Sequence, residues 1–172
     1  QDANKYSIEI VCLRWNSEVR IARPNYQFYG HLWSHGFFKY QACDYCDDVI
    51  AETADVTFGD AWIPQYLQDS SGTNIVITRN SIIQDLIQGA ESAGRLHLDK
   101  IGVEEVVKSQ AAGFRHRREG LAYRLFLKDN TGQWRPPKRV QADFRHLSSK
   151  QRRIYRLREE IAAESHLAFE EA

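Results

Sequence analysis

The sequence contains little cysteine, little proline and no methionine. Its 172 residues include four prolines and only three cysteines, Cys12, Cys43 and Cys46. This number is too small, and odd, for the disulfide framework of a small secreted domain, which favours a reducing compartment where thiolates can hold metal. The cytoplasm is therefore the predicted location. Because the chain begins with Gln1 and has no methionine, we expect it to be a piece of a longer protein.

Long apolar runs are missing as well. No stretch approaches the roughly 18 residues of a membrane span, and no signal peptide pattern opens the chain. Hydrophobic residues make up 42% of the sequence, enough for a core that forms without disulfides. We predict one soluble domain over residues 1–172, without a membrane span.

Acidic residues are scarce between Lys108 and Arg158. Lys and Arg number 23, as do Asp and Glu, yet fifteen basic residues and only three acidic ones lie between Lys108 and Arg158. Such a stretch points to an anionic partner, although a solvated basic surface explains it more simply. Its aromatic residues form no base-stacking motif, so a nucleic acid partner is not expected.

Alternating and periodic patterns predict both strands and helices. Strands are predicted at 6–13, 26–30, 36–40, 54–60, 74–79 and 95–101, and helices at 80–94, 102–113, 112–127 and from Ser148 or Ser149 to the end. The order of strands and helices in the middle of the chain indicates an α/β fold, with α+β as the alternative. We predict a mixed sheet flanked by helices, with a long C-terminal helix.

The pair Cys43-Asp-Tyr-Cys46 has a spacing at which two thiolates can approach one metal ion or cluster. A [4Fe–4S] cluster or a structural zinc needs four ligands, and the chain could add only Cys12 and its six histidines. His31 and His35 are the local candidates for a mixed zinc site.

Two further interpretations of this pair stay open, a thioredoxin-like redox pair and two unligated thiols. Neighbouring carboxylates disfavour a nucleophilic thiolate, so the redox pair is the weaker of the two. These carboxylates belong to Asp44, Asp47 and Asp48.

The stretch "CDYCDDVIAETADVTFGDAW" (43–62), followed by "DSSGTNIVITRN" (69–80), resembles the C-terminal domain of the coenzyme F-420 hydrogenase/dehydrogenase β-subunit family. The stretches "GFRHRREGLAYRLFL" and "RRIYRLREEIAAESHLAF" are similar to bacterial members found beside polysaccharide genes. The resemblance implies an iron–sulfur flavoprotein oxidoreductase that binds FAD and a [4Fe–4S] cluster. It would pass electrons to a redox partner or a small-molecule substrate, whose identity stays open.

The resemblance implies that Cys43 and Cys46 are cluster ligands. The other ligands would come from a cysteine-rich N-terminal region that full-length members have. The neighbouring aspartates would disfavour the reduced cluster and so lower its reduction potential.

The same resemblance favours a flavin pocket around two turns. Gly59 has no Cβ, so a cofactor edge could approach it, and Asp60 could accept a hydrogen bond from a ribose. The turn from Asp69 could meet a phosphate. The predicted cofactor-contacting residues are Gly59, Asp60, Gly72, Thr73, Asn74 and Arg79.

Arginines within 115–124, with Lys138 and Arg139, could hold a pyrophosphate or a carboxylated substrate. Ordinary turns and a solvated surface explain the same residues. The rival interpretation is a non-catalytic interaction domain. In it, the cysteine pair holds structural zinc or nothing, and the basic half docks an anionic partner.

Overall fold

The computed structural model describes residues 7–14, 17–24, 35–69 and 71–170. The chain divides into a central unit, residues 44–143, and a terminal unit, residues 1–43 with 144–172. The elements in chain order are β1 (Ser7–Arg14), β2 (Ser17–Pro24), α1 (Gln41–Asp44), β3 (Val56–Asp60), β4 (Asn74–Thr78), α2 (Ser81–Ser92), α3 (Val103–Ser109), α4 (Ala111–Phe114), a π-helical turn (Arg115–Glu119), α5 (Gly120–Asn130) and α6 (Ser149–Glu170).

In the terminal unit, β1 and β2 form an antiparallel ladder. Ser7 lies opposite Pro24 at one end, and Arg14 lies opposite Ser17 at the other. The strand predicted at 6–13 is confirmed.

Helix α6 of the terminal unit begins with a reciprocal cap. The Ser148 N–H donates to the Gln151 side chain (2.9 Å), and the Gln151 N–H donates to the Ser148 hydroxyl (3.3 Å). Further along, the Ser165 hydroxyl accepts the Phe38 N–H (2.8 Å). Since Tyr155 and Ala162 are buried, this side of the long helix is its packed side.

In the central unit, β3 and β4 form the second antiparallel ladder, with Val56 opposite Thr78 and Asp60 opposite Asn74. One face of the ladder belongs to a small apolar core. This core consists of Ala61, Ile63 and Ile75, with Tyr66, Ile77, Ile101 and Val106 packed against it.

Helix α2 follows β4 and is capped as the sequence predicts. The Asn80 side chain accepts the Ile82 N–H (2.9 Å), and Gly94 ends the helix in the left-handed region (φ +67°), where glycine has no steric cost. The apolar stripe does not form a core face, however, because no side chain of α2 is buried.

The helical run from α4 through the π-helical turn to α5 carries the most deeply buried residues. Leu121, Tyr123 and Leu125 are at most 1% exposed. The helix predicted at 112–127 is thus confirmed, but the π-helical turn inside it has no counterpart in the sequence pattern.

The mixture of helices and strands and the long C-terminal helix are confirmed. The described strands pair only antiparallel. Parallel pairing would need a return strand after α2, and residues 95–101 have no regular structure. In this segment Leu96 and His97 are exposed, while Ile101 joins the core. The alternating apolar and polar residues of 95–101 therefore do not form a buried face and an exposed face.

The predicted strand at 36–40 is wrong. Gly36 and Phe38 have positive φ, +74° and +56°, which places a turn there instead of extended backbone. The strand predicted at 26–30 lies outside the described residues. None of the described helices is long and apolar enough to span a membrane.

Replacing Leu121 with alanine should destabilise the protein by about 2–5 kcal/mol, because the site is fully buried and a cavity remains. Urea unfolding monitored by circular dichroism measures the change. Leu86→Ala is the matched control, since Leu86 lies on a helix and is 64% exposed. Equal losses in the two variants would contradict the assigned core.

Candidate functional site

The cysteine pair borders a segment that we call the acidic loop, residues 44–52. Cys43 lies in α1 just before it and is exposed, whereas Cys46 lies within it and is half-buried. Neither cysteine forms a disulfide. The loop carries four carboxylates, those of Asp44, Asp47, Asp48 and Glu52.

Asp48 fixes the turn of the acidic loop. Its carboxylate accepts the backbone N–H groups of Ile50 (3.1 Å) and Glu52 (3.0 Å). Within this turn, Ala51 has a φ of +50°, which is uncommon for a residue other than glycine. The carboxylate of Asp48 thus has a structural role in holding an unfavourable backbone conformation.

The sulfur of Cys46 faces an arginine. Nη1 of Arg117 lies 2.7 Å from Sγ of Cys46 and 2.7 Å from the carbonyl oxygen of Asp48. Arg117 belongs to the π-helical turn, a local geometry that is frequent at functional sites. The thiol therefore lies beside a permanent positive charge.

Two further carboxylates of the acidic loop are paired with basic residues. Asp47 contacts Nζ of Lys138 (3.0 Å) and Nε of Arg139 (2.7 Å). The two terminal nitrogens of Arg139 donate to the two oxygens of Glu52, each at 2.7 Å. Arg118 adds a longer contact to Glu52, at 3.5 Å.

These contacts shift the titration of the carboxylates. Burial raises the pKa of Asp47, but hydrogen bonds from Lys138 and Arg139 outweigh burial and lower it overall. The pKa of Glu52 is lowered mainly by its hydrogen bonds from Arg139. The pKa of Arg139 is raised in turn by its bonds to Glu52 and Asp47.

A buried arginine anchors the start of the acidic loop. Arg124 is 3% exposed; its Nε donates to the carbonyl oxygen of Asp44 (3.0 Å) and lies 3.9 Å from the Asp44 carboxylate. Nearby, a Cβ at Gly113 would lie 3.1 Å from Val49. The absence of that Cβ lets α4 approach the loop closely.

Five of the six predicted cofactor-contacting residues meet at one end of the β3–β4 ladder. Asp60 lies opposite Asn74, and Gly59 precedes Asp60 on β3. Gly72 (φ +84°) and Thr73 lead into β4, and the Thr73 carbonyl accepts the Ala61 N–H at 3.0 Å.

The backbone at this end of the ladder is firmly held. The carbonyl oxygen of Asp60 accepts the Ser109 hydroxyl (3.1 Å) and the Gln110 amide (2.9 Å). The Asp69 carboxylate accepts the Ser71 N–H and the Thr73 hydroxyl, each at 2.9 Å, and these bonds lower the pKa of Asp69.

The sixth residue, Arg79, lies at the opposite end of the ladder, where its N–H donates to the Asp55 carbonyl. A five-residue ladder separates it from the others by roughly 15 Å. Its guanidinium donates to the carbonyls of Ala54 and Ile50, each at 3.0 Å, and to the Thr57 hydroxyl at 2.9 Å. Arg79 thus connects the acidic loop to β3 through hydrogen bonds to both.

Metal ligands beyond the two thiols do not gather in the described residues. Within 35–69 and 71–170, no group of three or more His, Cys, Asp or Glu side chains could hold a metal ion. His35 packs edge-on against Phe37, while His31 and the side chain of Cys12 lie outside the described part. Two thiols are fewer than the four ligands that a [4Fe–4S] cluster or a structural zinc needs.

A family model for the C terminus of the beta subunit of coenzyme F420 hydrogenase/dehydrogenase matches residues 2–104, more than half of the chain. The chain belongs to this family. No curated protein and no solved structure matches it. The family region contains the cysteine pair and all six predicted cofactor-contacting residues, whereas Arg117 and Arg139 lie beyond it.

The sequence did not predict the contact between Arg117 and Cys46, which are 71 positions apart. The one available signal was the excess of basic residues after Lys108. That excess indicates a basic surface or an anion site, but in the structure several of its members contact the acidic loop.

The Arg139→Gln variant should lose stability at neutral pH because Asp47 and Glu52 lose their partner. The folded pKa of each carboxylate lies below its unfolded value, so the stabilisation exists above about pH 4 and disappears as pH falls through the folded pKa. The difference in unfolding free energy from the wild type should therefore shrink at low pH.

Urea unfolding at a series of pH values between about 7 and about 3 tests this dependence. Arg95→Gln, which removes an exposed positive charge elsewhere in the central unit, is the control. A difference for Arg139→Gln that is constant across this pH range would contradict the assigned ion pairs.

Proposed function

We propose that the chain is the redox domain of an iron–sulfur flavoprotein, which passes electrons between FAD, a [4Fe–4S] cluster and a substrate or redox partner. The observation that carries the proposal is the family match over residues 2–104, a region that includes the C-x-x-C pair. A cluster supplies one-electron transfer when bound.

In this proposal, Cys43 and Cys46 provide two thiolate ligands, and a segment outside the described residues provides the rest. The acidic loop orients Cys46 through the hydrogen bonds of Asp48 and the contact with Arg117. The loop's carboxylates lower the reduction potential less than the sequence suggests, because Asp47 and Glu52 are paired with basic side chains.

We assign the flavin to the end of the ladder where Gly59, Asp60 and Asn74 lie. The carbonyl oxygen of Asp60 accepts hydrogen bonds from Ser109 and Gln110, whereas the Asp60 residue as a whole is exposed to solvent. The exposed Asp60 carboxylate is thus available as an acceptor for a cofactor hydroxyl. Arg79 has its donors engaged at the other end, so we assign it a supporting role for the acidic loop.

The rival function is an interaction domain whose cysteine pair holds structural zinc or nothing. One observation favours its unligated form: the described residues add no third ligand to the two thiols. The bound metal distinguishes the two functions.

Cys43→Ser and Cys46→Ser should each remove most of the bound iron from the full-length protein purified without oxygen, because each removes a ligand. The broad visible absorption of the cluster should fall in parallel. Ala42→Ser, on the exposed position beside Cys43, is the matched control and should retain its iron.

Iron assay and visible spectroscopy read the result. Zinc in the wild type would support the interaction domain. Wild-type iron content in both cysteine variants would show that the pair ligates nothing.

Gly59→Ala should weaken FAD binding by about 5- to 150-fold, because overpacking a site costs about 1–3 kcal/mol. Within the chain the added methyl meets only an ordinary contact, Nε2 of Gln110 at 3.7 Å, so the fold should tolerate it. Titration of FAD into the apoprotein, followed by flavin fluorescence, measures the affinity.

Gly89→Ala is the control, since a Cβ there meets nothing within 4 Å. Unchanged FAD affinity in a folded Gly59→Ala variant would place the flavin elsewhere.

A further inference from the structure

We infer that one face of helix α6 binds the same face of a second copy of the chain, with the two helices antiparallel. We call it the outer face of α6. It is defined by residues at spacings of three and four along the helix: Lys150, Arg153, Ile154, Leu157, Glu160, Ile161 and Glu164. The inference stands apart from the proposed function, because neither a metal nor a flavin takes part in it.

The outer face lies outside the packed side of α6. Tyr155 and Ala162 are buried, whereas Ile154 is 38% exposed and Leu157 is 42% exposed. At 3.6 residues per turn, the outer face covers about 120° of the helix surface, centred on Leu157. Apolar side chains at helical spacing with charged neighbours are typical of a surface that pairs with another helix.

The charges of the outer face change sign at Leu157. Lys150 and Arg153 precede it, whereas Glu160 and Glu164 follow it, and all four charged residues are exposed. Among the ion pairs of residues 35–69 and 71–170, none involves these four side chains. Their charges are therefore open to a partner whose charges run in the opposite order.

The stability of α6 itself does not account for this order of charges. Acidic residues in the first turn and basic residues in the last turn stabilise a helix through its dipole, and α6 has neither. Lys150 lies in the first turn, where a positive charge is unfavourable. A contact outside the helix explains the order better.

An antiparallel second copy has the order of charges that the outer face requires. A two-fold axis at Leu157 makes the contact self-complementary, because each residue meets the residue equally distant on the other side of Leu157. Leu157 then meets its own counterpart, and Lys150 meets Glu164, since each lies seven positions from Leu157. A parallel pair would instead place Lys150 beside Lys150 and Glu164 beside Glu164.

The two flanks of the outer face match in the same arrangement. In an antiparallel pair related by a two-fold axis, each flank meets the same flank of the second copy. One flank carries Arg153 and Glu160, which bring opposite charges together, and the other carries Ile154 and Ile161, which bury apolar surface. A single pair of helices forms a small interface, so we expect a reversible dimer with a dissociation constant in the micromolar range.

The oligomeric state of the full-length protein tests this arrangement through charge reversal. One variant carries Lys150→Glu and Arg153→Glu, a second carries Glu160→Lys and Glu164→Lys, and a third carries all four substitutions. Sedimentation equilibrium over a range of protein concentrations at low salt gives the Kd of each dimer, and circular dichroism verifies the fold.

The first and second variants should each raise the Kd roughly tenfold or more, because opposite-charge contacts become like-charge contacts. The third variant restores opposite charges at every contact and should dimerise like the wild type. An equimolar mixture of the first two variants should form a heterodimer, since one outer face is then acidic and the other basic.

The apolar centre of the outer face has its own matched pair of variants. Leu157→Glu places two carboxylates at the two-fold axis and should abolish the dimer. Ala163→Glu adds the same charge at an exposed position of α6, about 120° around the helix from Leu157, and should leave the dimer intact.

A wild type that stays monomeric at its highest soluble concentration would overturn the inference. A dimer whose Kd is unchanged in the first two variants, or that Ala163→Glu weakens as much as Leu157→Glu, would overturn it as well. Neither outcome affects the iron and flavin measurements that test the proposed function.

Discussion

The pairing of the acidic loop with basic side chains 66 to 92 residues later in the chain is the interaction on which the central unit depends. Arg124 is nearly fully buried, and a buried charge is tolerated only when it is paired and hydrogen-bonded. Its partner is Asp44, at the start of the loop. The acidic loop and the helical run from α4 to α5 must therefore fold together.

This pairing also explains the uneven charge of the sequence. An acidic first half and a basic second half add up to zero net charge, and the structure brings members of both halves into contact. Arg139 illustrates the point, because it binds Glu52 with two nitrogens and Asp47 with the third. In this structure the charge of Arg139 is thus balanced by carboxylates of the same chain.

Local signals predicted local structure well. The Asn80 cap, the final Gly94 and the Ser148 cap are fixed by hydrogen bonds over two to four residues, so the sequence alone reveals them. The segment 95–101 has a strand pattern, but it pairs with none of the described strands, and pairing of this kind depends on the tertiary structure. Strand pairing likewise decides where the predicted cofactor-contacting residues lie: the antiparallel pairing of β3 and β4 brings Gly59 and Asn74 to one end of the ladder and sends Arg79 to the far end.

Arginines that hold the acidic loop lie beyond the end of the family region. A segment cut at residue 104, where the family region ends, would keep both cysteines but lose Arg117, Arg124 and Arg139. The unit of sequence similarity is therefore shorter than the unit that must fold for Cys46 to be held in place. Transplanting the matched region alone into another protein would carry over the two cysteines without the side chains that hold Cys46.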